Sequence, residues 1–203
     1  MTRRPYRLGR RQKAVDRTRA RILKAARALL VARGAGAFSI EAVARRARVT
    51  RVTVYQRFGS RSKLLEALFD DLARQGGMWE LADAFRQPDP HEALGRFVAT
   101  FARFWTAHRP IHRRLLALAA LDPGLERTLR ARQEWRRQGL RVIVGRLRER
   151  AAGPAAASPE ETIDALFALT GFETFDLLAG PTRTPAQVAP IVLRIARAVL
   201  GRP

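Results

Sequence analysis

The chain of 203 residues contains no cysteine and only three histidines. Without cysteine, disulfides, thiolate zinc sites, iron–sulfur clusters and cysteine nucleophiles are all excluded. No uncharged apolar run approaches the roughly 18 residues that a membrane-spanning helix needs. The N-terminus is basic but leads into no apolar core of the kind that signal peptides have. The sequence therefore predicts a cytoplasmic protein.

Acidic residues are also scarce, with 18 Asp and Glu against 39 Lys and Arg and a formal net charge of +21. A charge of this size favours a polyanionic partner, and above all nucleic acid. Because 36 of the 39 basic residues are Arg, a bias that GC-rich coding also produces, the position of the charge is more informative than its total. Residues 1–75 carry a net +15, whereas residues 76–203 carry +6.

The first 14 residues hold six basic side chains, no acidic one, Pro5 and Gly9. They are predicted to form a flexible basic arm that contacts phosphates or the minor groove of DNA. A solvated tail without function is the alternative interpretation.

Beyond this arm the hydrophobic residues recur every three or four positions, and no strand-like alternation of useful length appears. This pattern predicts an all-α fold. A capping side chain followed by proline marks helix starts at Asp89-Pro90, Asp122-Pro123, Ser158-Pro159 and Thr184-Pro185. Pro190 predicts either a kink in the last helix or a later start. The predicted helices cover about 17–33, 40–47, 51–57, 61–75, 90–108, 111–120, 123–151, 159–178 and 185–200.

Two short predicted helices, 40–47 and 51–57, are separated only by residues 48–50. Ser39 and Thr50 stand where the N-cap residue of each helix belongs. So tight a connection indicates a helix-turn-helix, in which the second helix enters the major groove of DNA.

Residues 22–72 contain Phe38-Ser39-Ile40, Val49-Thr50, Thr53-Val54-Tyr55 and the Lys63-Leu64-Leu65 run. With these motifs the segment resembles the TetR family of transcriptional regulators. The resemblance implies an N-terminal three-helix DNA-binding domain followed by a larger helical body for ligand binding and dimerisation. The sequence departs from the family pattern at Arg48 and Val52, where the family commonly has glycine.

The predicted domains are therefore the arm 1–14, a helix-turn-helix domain 15–75, and a ligand-binding and dimerisation domain 76–203. In the second helix of the turn, Val54 and Phe58 lie four residues apart and are predicted to face inward with Val49. The predicted DNA-binding residues are Ser39, Thr50, Arg51, Val52, Thr53, Tyr55, Gln56 and Lys63.

These residues have separate expected roles. Arg51 and Gln56 can read bases, because a guanidinium pairs with guanine and an amide with adenine. Val52 and Thr53 can contact thymine methyl groups, and the helices capped by Ser39 and Thr50 can hold phosphates on their free amides. Tyr55 and Lys63 resemble phosphate-binding residues of the family. An exposed polar face without a partner is the alternative.

Residues 76–203 contain all three Trp and seven of the ten Phe. An apolar pocket with a few polar anchors is expected here, and an ordinary hydrophobic core is the alternative. The candidate ligand-binding residues are Phe101, Trp105, His112, Phe167, Thr170, Glu173 and Thr174.

The last two predicted helices, 159–178 and 185–200, carry apolar stripes and are expected to form a homodimer. The alternative is that these stripes are buried within the subunit itself. Their apolar sets are Ile163, Leu166, Phe167, Thr170, Leu177, Val188, Ile191, Ile195 and Val199.

The sequence predicts no catalytic residue, metal site or cofactor. His108 and His112 have metal-ligand spacing, but Pro110 lies between them and is expected to prevent a shared helical face. A catalytic carboxylate pair that forms only in space stays open, as does a sequence-non-specific DNA- or RNA-binding protein. The prediction is a dimeric repressor that binds a palindromic operator in double-stranded DNA and is released by a small apolar effector.

Overall fold

The computed structural model describes residues 4–33, 38–150 and 157–201. Within these ranges the chain forms ten α-helices and one short 3₁₀ turn, and no strand. The predicted all-α fold is confirmed. In the same ranges, no helix combines the length and the apolar character that crossing a membrane requires.

The helices differ in length from 6 to 30 residues. In chain order they are α1 (Arg4–Arg33), α2 (Ile40–Ala47), α3 (Arg51–Phe58), α4 (Arg61–Gln75), α5 (Leu81–Arg86), α6 (Pro90–Ala119), α7 (Pro123–Glu149), α8 (Pro159–Leu169), α9 (Phe172–Ala179) and α10 (Pro185–Val199).

The chain divides into two compact units. The N-terminal unit contains residues 1–71 and 113–126, and the C-terminal unit contains residues 72–112 and 127–203. Residues 113–126 thus group with the N-terminal residues although they lie far along the chain. The functional boundaries after residues 14 and 75 stay a prediction.

Helix α1 begins at Arg4 and not near residue 17, so residues 4–14 are helical where the sequence predicted a flexible arm. Asp16, just before the predicted start, lies inside the helix, where its carboxylate accepts a hydrogen bond from Gln12 at 3.0 Å. Arg, Leu, Gln, Lys and Ala are good helix formers, which allows the helix to extend upstream of Asp16. The first three residues of the predicted arm lie outside the described residues.

The core of the N-terminal unit is aliphatic. Ile22 and Leu30 of α1, Val43 of α2, Val54 of α3 and Leu65 of α4 are all completely buried. Val54 and Phe58 are buried as predicted, and Val49 is half-buried. Because each helix supplies its residues at intervals of three or four, one face of each amphipathic helix is removed from water.

Arg48 follows the last residue of α2 and is the only residue other than glycine with a positive φ in the described chain (φ 52°, ψ 49°). The Arg48 N–H donates to the Arg45 carbonyl at 3.2 Å, and the Val49 N–H donates to the Ala44 carbonyl at 3.0 Å. This is a Schellman motif, in which glycine usually occupies the left-handed position. Arg48 therefore adopts a conformation that suits glycine, at the cost of left-handed strain in an arginine.

The C-terminal unit differs from the sequence prediction at one helix. The predicted helix 159–178 is interrupted, because α8 ends at Leu169 and α9 starts at Phe172 after Gly171. The Thr170 hydroxyl donates to the Leu166 carbonyl at 2.8 Å, and side chains from other helices take up the next carbonyls of this break. These bonds compete with the backbone ladder that would continue α8.

Prolines act differently in α6 and α10. The predicted helices 90–108 and 111–120 join in α6, which a non-helical kink at His108 (φ −127°, ψ 16°), just before Pro110, divides into two helical segments near the predicted boundary. Helix α10 begins at Pro185, as its capping pattern predicts, and includes Pro190. The 3₁₀ turn Met78–Glu80 and α5 were not predicted, since neither is long enough to show a helical period.

Replacing Arg48 with glycine should stabilise the protein, because glycine adopts a left-handed conformation without a Cβ clash. We expect R48G to raise the free energy of unfolding by up to about 1 kcal/mol, measured by urea denaturation. R48A is the matched control, since it removes the charge and keeps the Cβ. An equal gain in R48A, or a loss in R48G, would show that φ strain is not the cause.

Candidate nucleic-acid interface and effector site

Helix α3 presents a row of side chains to solvent while its opposite face is buried. Val52 is 62% exposed and Tyr55 39% exposed, and Arg51 and Gln56 are exposed as well. Thr53 is half-buried, and its hydroxyl lies 2.9 Å from that of Thr50. The outward face of α3 therefore contains the predicted base-reading residues in a single short helix, with Thr53 at its edge.

Hydroxyl caps organise the start of each helix in this region. The Ser39 hydroxyl accepts the Ala42 N–H at 3.1 Å, and the Thr50 hydroxyl accepts the Thr53 N–H at 3.1 Å. Ser60 does the same at the start of α4, where it accepts the N–H of the exposed Lys63 at 3.1 Å. Each cap leaves other N–H groups of the first turn without an intrahelical partner, and such groups bind phosphate.

Sequence reasoning missed Glu41, which pairs with the predicted base reader Arg51. One Arg51 nitrogen lies 2.9 Å from a Glu41 carboxylate oxygen. Another donates to the Tyr55 hydroxyl at 3.4 Å, while the guanidinium lies 5.4 Å from the Tyr55 ring centroid. The Tyr55 hydrogen bond and the Glu41 charge raise the pKa of Arg51. No sequence pattern indicated this contact, because it joins two helices across the turn.

An open groove of about 440 Å³ adjoins these side chains in the N-terminal unit. Ser39, Arg51 and Tyr55 line it together with Glu41 and Arg61. Arg61 is itself ion-paired with Asp122, which caps the start of α7 by accepting the Gly124 and Leu125 N–H groups. The structure thus brings three of the predicted DNA-binding residues to one groove, which Gln56 and Lys63 do not line.

The C-terminal unit contains an aromatic cluster, which we define as Phe97, Phe101, Phe104, Trp105, His112 and Phe172. Trp105 lies near its centre, with ring centroids 4.9 Å from Phe104, 4.7 Å from His112 and 5.5 Å from Phe172. All six rings are buried. Edge-on and tilted arrangements of this kind are the favourable ones for aromatic pairs.

Arg136 of α7 reaches the same region and was not among the predicted residues. Its guanidinium donates to the Phe167 carbonyl at 2.6 Å and to the Thr170 hydroxyl at 2.9 Å. Burial lowers its pKa to about 10, although the charge of Glu173 acts in the opposite direction. The spacing Leu129, Arg136, Leu140, Ile143 places Arg136 on the buried stripe of α7, and this signal could have identified it.

Several predicted ligand-binding residues come together here. Trp105 donates its indole N–H to the Thr170 carbonyl at 3.3 Å, and Phe101 and Phe167 lie 5.9 and 4.0 Å from the Arg136 guanidinium. Thr174 instead donates to the Ala168 carbonyl at 2.7 Å, so it closes the end of α8. Glu173 is exposed.

His108 and His112 share one environment despite Pro110. The rings lie 5.5 and 4.9 Å from Phe104, and His112 Nδ1 is 3.3 Å from the His108 carbonyl. Pro110 was expected to prevent a shared helical face, and His108 is indeed non-helical; the kink there nevertheless leaves both side chains buried. In the described ranges no group of three or more metal-ligating side chains is found.

Comparison with known proteins agrees with this geometry. Residues 22–68 match the sequence model of the family described as bacterial regulatory proteins, tetR family. A search of curated proteins finds no match to the chain. The resemblance stated from the sequence is confirmed for the part that contains the helix-turn-helix.

Solved structures resemble nearly the whole chain. A Rhodococcus protein assigned to the TetR family superposes with a TM-score of 0.74 at 18% identity, covering 91% of this chain and 99% of its own. NalD of Pseudomonas aeruginosa, a secondary repressor of the MexAB-OprM multidrug efflux pump, gives 0.67 at 23% identity, with 93% and 98% covered. A TetR transcription regulator from Haloarcula marismortui gives 0.70 at 13% identity, with 92% and 97% covered. At these identities the likeness shows the fold.

Protonation of His112 should destabilise the folded protein in acid. Burial lowers the pKa of His112 to about 3, from the ordinary value of 6.5. Between pH 3 and pH 6.5 the unfolded state therefore binds one more proton than the folded state. The contribution of His112 to the free energy of unfolding is complete above pH 6.5 and is lost as the pH falls. We expect a slope of up to about 1.4 kcal/mol per pH unit from this group in urea unfolding measured from pH 7 to 4.

The variant H112F keeps an aromatic ring and should flatten the profile relative to the unmodified protein. H91Q removes a histidine outside the aromatic cluster and controls for the loss of any histidine. Profiles of identical slope in H112F and the unmodified protein would contradict the assignment.

Proposed function

We propose that this chain, whose N-terminal domain belongs to the tetR family of bacterial regulatory proteins, is a dimeric repressor that binds a palindromic DNA operator and is released by a small molecule. The observation that carries this proposal is α3, a short capped helix with base-reading side chains on its exposed face and Val54 and Phe58 buried behind them. The members of the matching family are regulators, and we propose no catalytic activity.

Electrostatics support duplex DNA as the partner. Residues 1–75 carry most of the excess positive charge, and they include α2, α3 and their capped N-termini. Phosphate contacts from Tyr55, Lys63 and the helix N-termini would position α3 without carrying sequence information. Arg51, Val52, Thr53 and Gln56 would then contact base edges in the major groove. Because its proposed partner is the operator, we place the protein in the cytoplasm.

Exposed apolar residues support a dimer through α8, α9 and α10, the region predicted as helices 159–178 and 185–200. Leu177 of α9 is 82% exposed and Ile195 of α10 is 38% exposed. Other members of the predicted set, such as Ile163 and Val188, are buried inside the C-terminal unit and are unavailable to a partner. The α8–α9 segment and α10 from each subunit, corresponding to the two predicted helices, would form an interface of the four-helix type. Such a dimer would place two recognition helices roughly 34–36 Å apart, one turn of DNA.

Effector release would act through the aromatic cluster and Arg136. Phe101, Trp105, His112 and Thr170 offer apolar surface with a few polar atoms, which is the usual composition of a small-molecule site. An effector would release the operator only to the extent that it binds the DNA-free dimer more tightly than the DNA-bound one.

A sequence-non-specific DNA- or RNA-binding protein is the second candidate, and the net charge of +15 on residues 1–75 favours it. Selection from random duplexes followed by sequencing separates the two candidates. A repressor should enrich one palindrome and bind it about a thousandfold or more better than random duplex. A non-specific protein should enrich no sequence.

Removing Tyr55 and Lys63 together should abolish operator binding, because both proposed phosphate contacts are lost. We expect the Y55A/K63A protein to show no shift of the selected palindrome in electrophoresis, with an unchanged circular dichroism spectrum and dimer mass. K24A removes an exposed lysine of α1 and is the charge control. Unchanged binding by the double variant would refute the site.

Neutralising Glu41 should release Arg51 to bind any phosphate. We expect E41Q to strengthen binding to random duplex several-fold and to steepen the salt dependence by about one counterion. D70N, which removes an exposed carboxylate of α4, gives the same change in net charge and should have a smaller effect. In the R51A background E41Q should have no effect, and an equal effect there would refute the coupling.

A further inference from the structure

Arg136 is a buried cation without a carboxylate partner. Its side chain lies in the C-terminal unit with only 8% of the residue exposed. Within the described residues, both of its hydrogen bonds come from one terminal nitrogen and go to neutral acceptors, the Phe167 carbonyl and the Thr170 hydroxyl. No acidic side chain of the described chain forms an ion pair with it. A charge largely removed from water in this way is costly unless a counter-charge is supplied.

Two other arginines of the same unit, unlike Arg136, form ion pairs with carboxylates. Arg137, the next residue, packs on the same Phe167 ring at 4.2 Å but is ion-paired with Asp164. Arg109 binds carbonyls at the end of α9, as Arg136 does for α8, yet it also lies 2.5 Å from an Asp176 oxygen. Arg146 also binds carbonyls without an ion pair in the described chain, but it is only half-buried, so burial is what distinguishes Arg136.

The second terminal nitrogen of Arg136, Nη2, lies close to the start of α9. A Cβ added to Gly171, the N-cap residue, would be 3.6 Å from this nitrogen, and no side chain caps the helix there. The free amides of the first turn of α9 add positive potential at the same place. Glu173 acts on Arg136 through its charge, and its Oε2 lies 3.2 Å from the same Cβ position, but its side chain is exposed and forms no ion pair with Arg136.

Apolar rings surround the guanidinium on other sides. Phe167 and Phe101 lie 4.0 and 5.9 Å from it, and the Trp105 indole bonds to the adjacent Thr170 carbonyl. A ligand at this position would meet a cation at one end and aromatic surface along its body.

We propose that the effector is an organic anion, with a carboxylate that pairs with Arg136 and an aromatic or aliphatic body that packs against Phe101 and Trp105. This inference rests on the effector site of the proposed function and narrows its small molecule to an organic anion. The carboxylate would form the direct ion pair with Arg136 that Glu173, which acts on Arg136 only through its charge, does not form.

Three probes of one shape and different charge test this proposal by calorimetric titration of the full chain without DNA. They are 4-phenylbutyrate, 4-phenylbutan-1-ol and 4-phenylbutylamine. A charge-assisted hydrogen bond predicts that the carboxylate binds about tenfold or more tighter than the alcohol, and the amine most weakly. Equal or weaker binding of the carboxylate, or no binding of any probe, overturns the proposal.

Substitutions at basic and acidic residues show which side chain causes the preference for the carboxylate probe. R136Q should abolish the preference for the carboxylate, whereas R137Q, the matched control on the neighbouring arginine, should keep it. E173Q should strengthen carboxylate binding by about two- to fivefold, since an exposed like charge is removed. The proposal would be overturned if R136Q bound the carboxylate more tightly than the unmodified protein does, or if E173Q bound the amine more tightly than the carboxylate.

E173Q changes an exposed side chain, so this arm stays informative even if R136Q does not fold. R136K provides a folded cation with fewer donors and should retain part of the preference. Because these titrations contain no DNA, their failure leaves operator binding intact. Failure of the proposed function would instead appear as the absence of a selected palindrome.

Discussion

The free backbone groups at the helix ends are the constraint on which most of this structure depends. A chain of short helices has many ends, and each end leaves N–H or C=O groups that need a partner. Ser39 and Thr50 supply partners at the start of α2 and α3. Ser158 and Thr184 form complete capping boxes with Glu161 and Gln187. At the C-terminal ends of α8 and α9, where arginine carries the matching charge, Arg136 and Arg109 bind the carbonyls.

In the N-terminal unit, this constraint also produces the functional surface. Caps and the Schellman turn at Arg48 leave only three residues between α2 and α3, so α3 starts in a defined direction. Burial of Val54 and Phe58 then determines which face of α3 remains outside. Glu41 then forms an ion pair with Arg51, one of the side chains on this exposed face.

In the C-terminal unit, burial of polar groups has the stronger effect. His112 remains neutral over most of the accessible pH range because it is enclosed by aromatic rings. Arg136 remains charged in a similar environment, since its pKa of about 10 is still far above neutrality. We expect an interior with two buried imidazoles and one cation without an ion pair to favour an anionic ligand over a cationic one, and this preference is the basis of the effector class that we infer.

The sequence by itself determined the all-α fold, the helix-turn-helix and most helix starts, because capping residues, proline and apolar spacing act over a few neighbouring residues. The limits of α2 agree with the prediction for this reason, as does the exposed face of α3. Only the tertiary structure decided the interruption at Thr170, the common environment of His108 and His112, and the contacts of Glu41 and Arg136. Each of these depends on a partner from another helix or across a kink, and local periodicity contains no information about which partner that is.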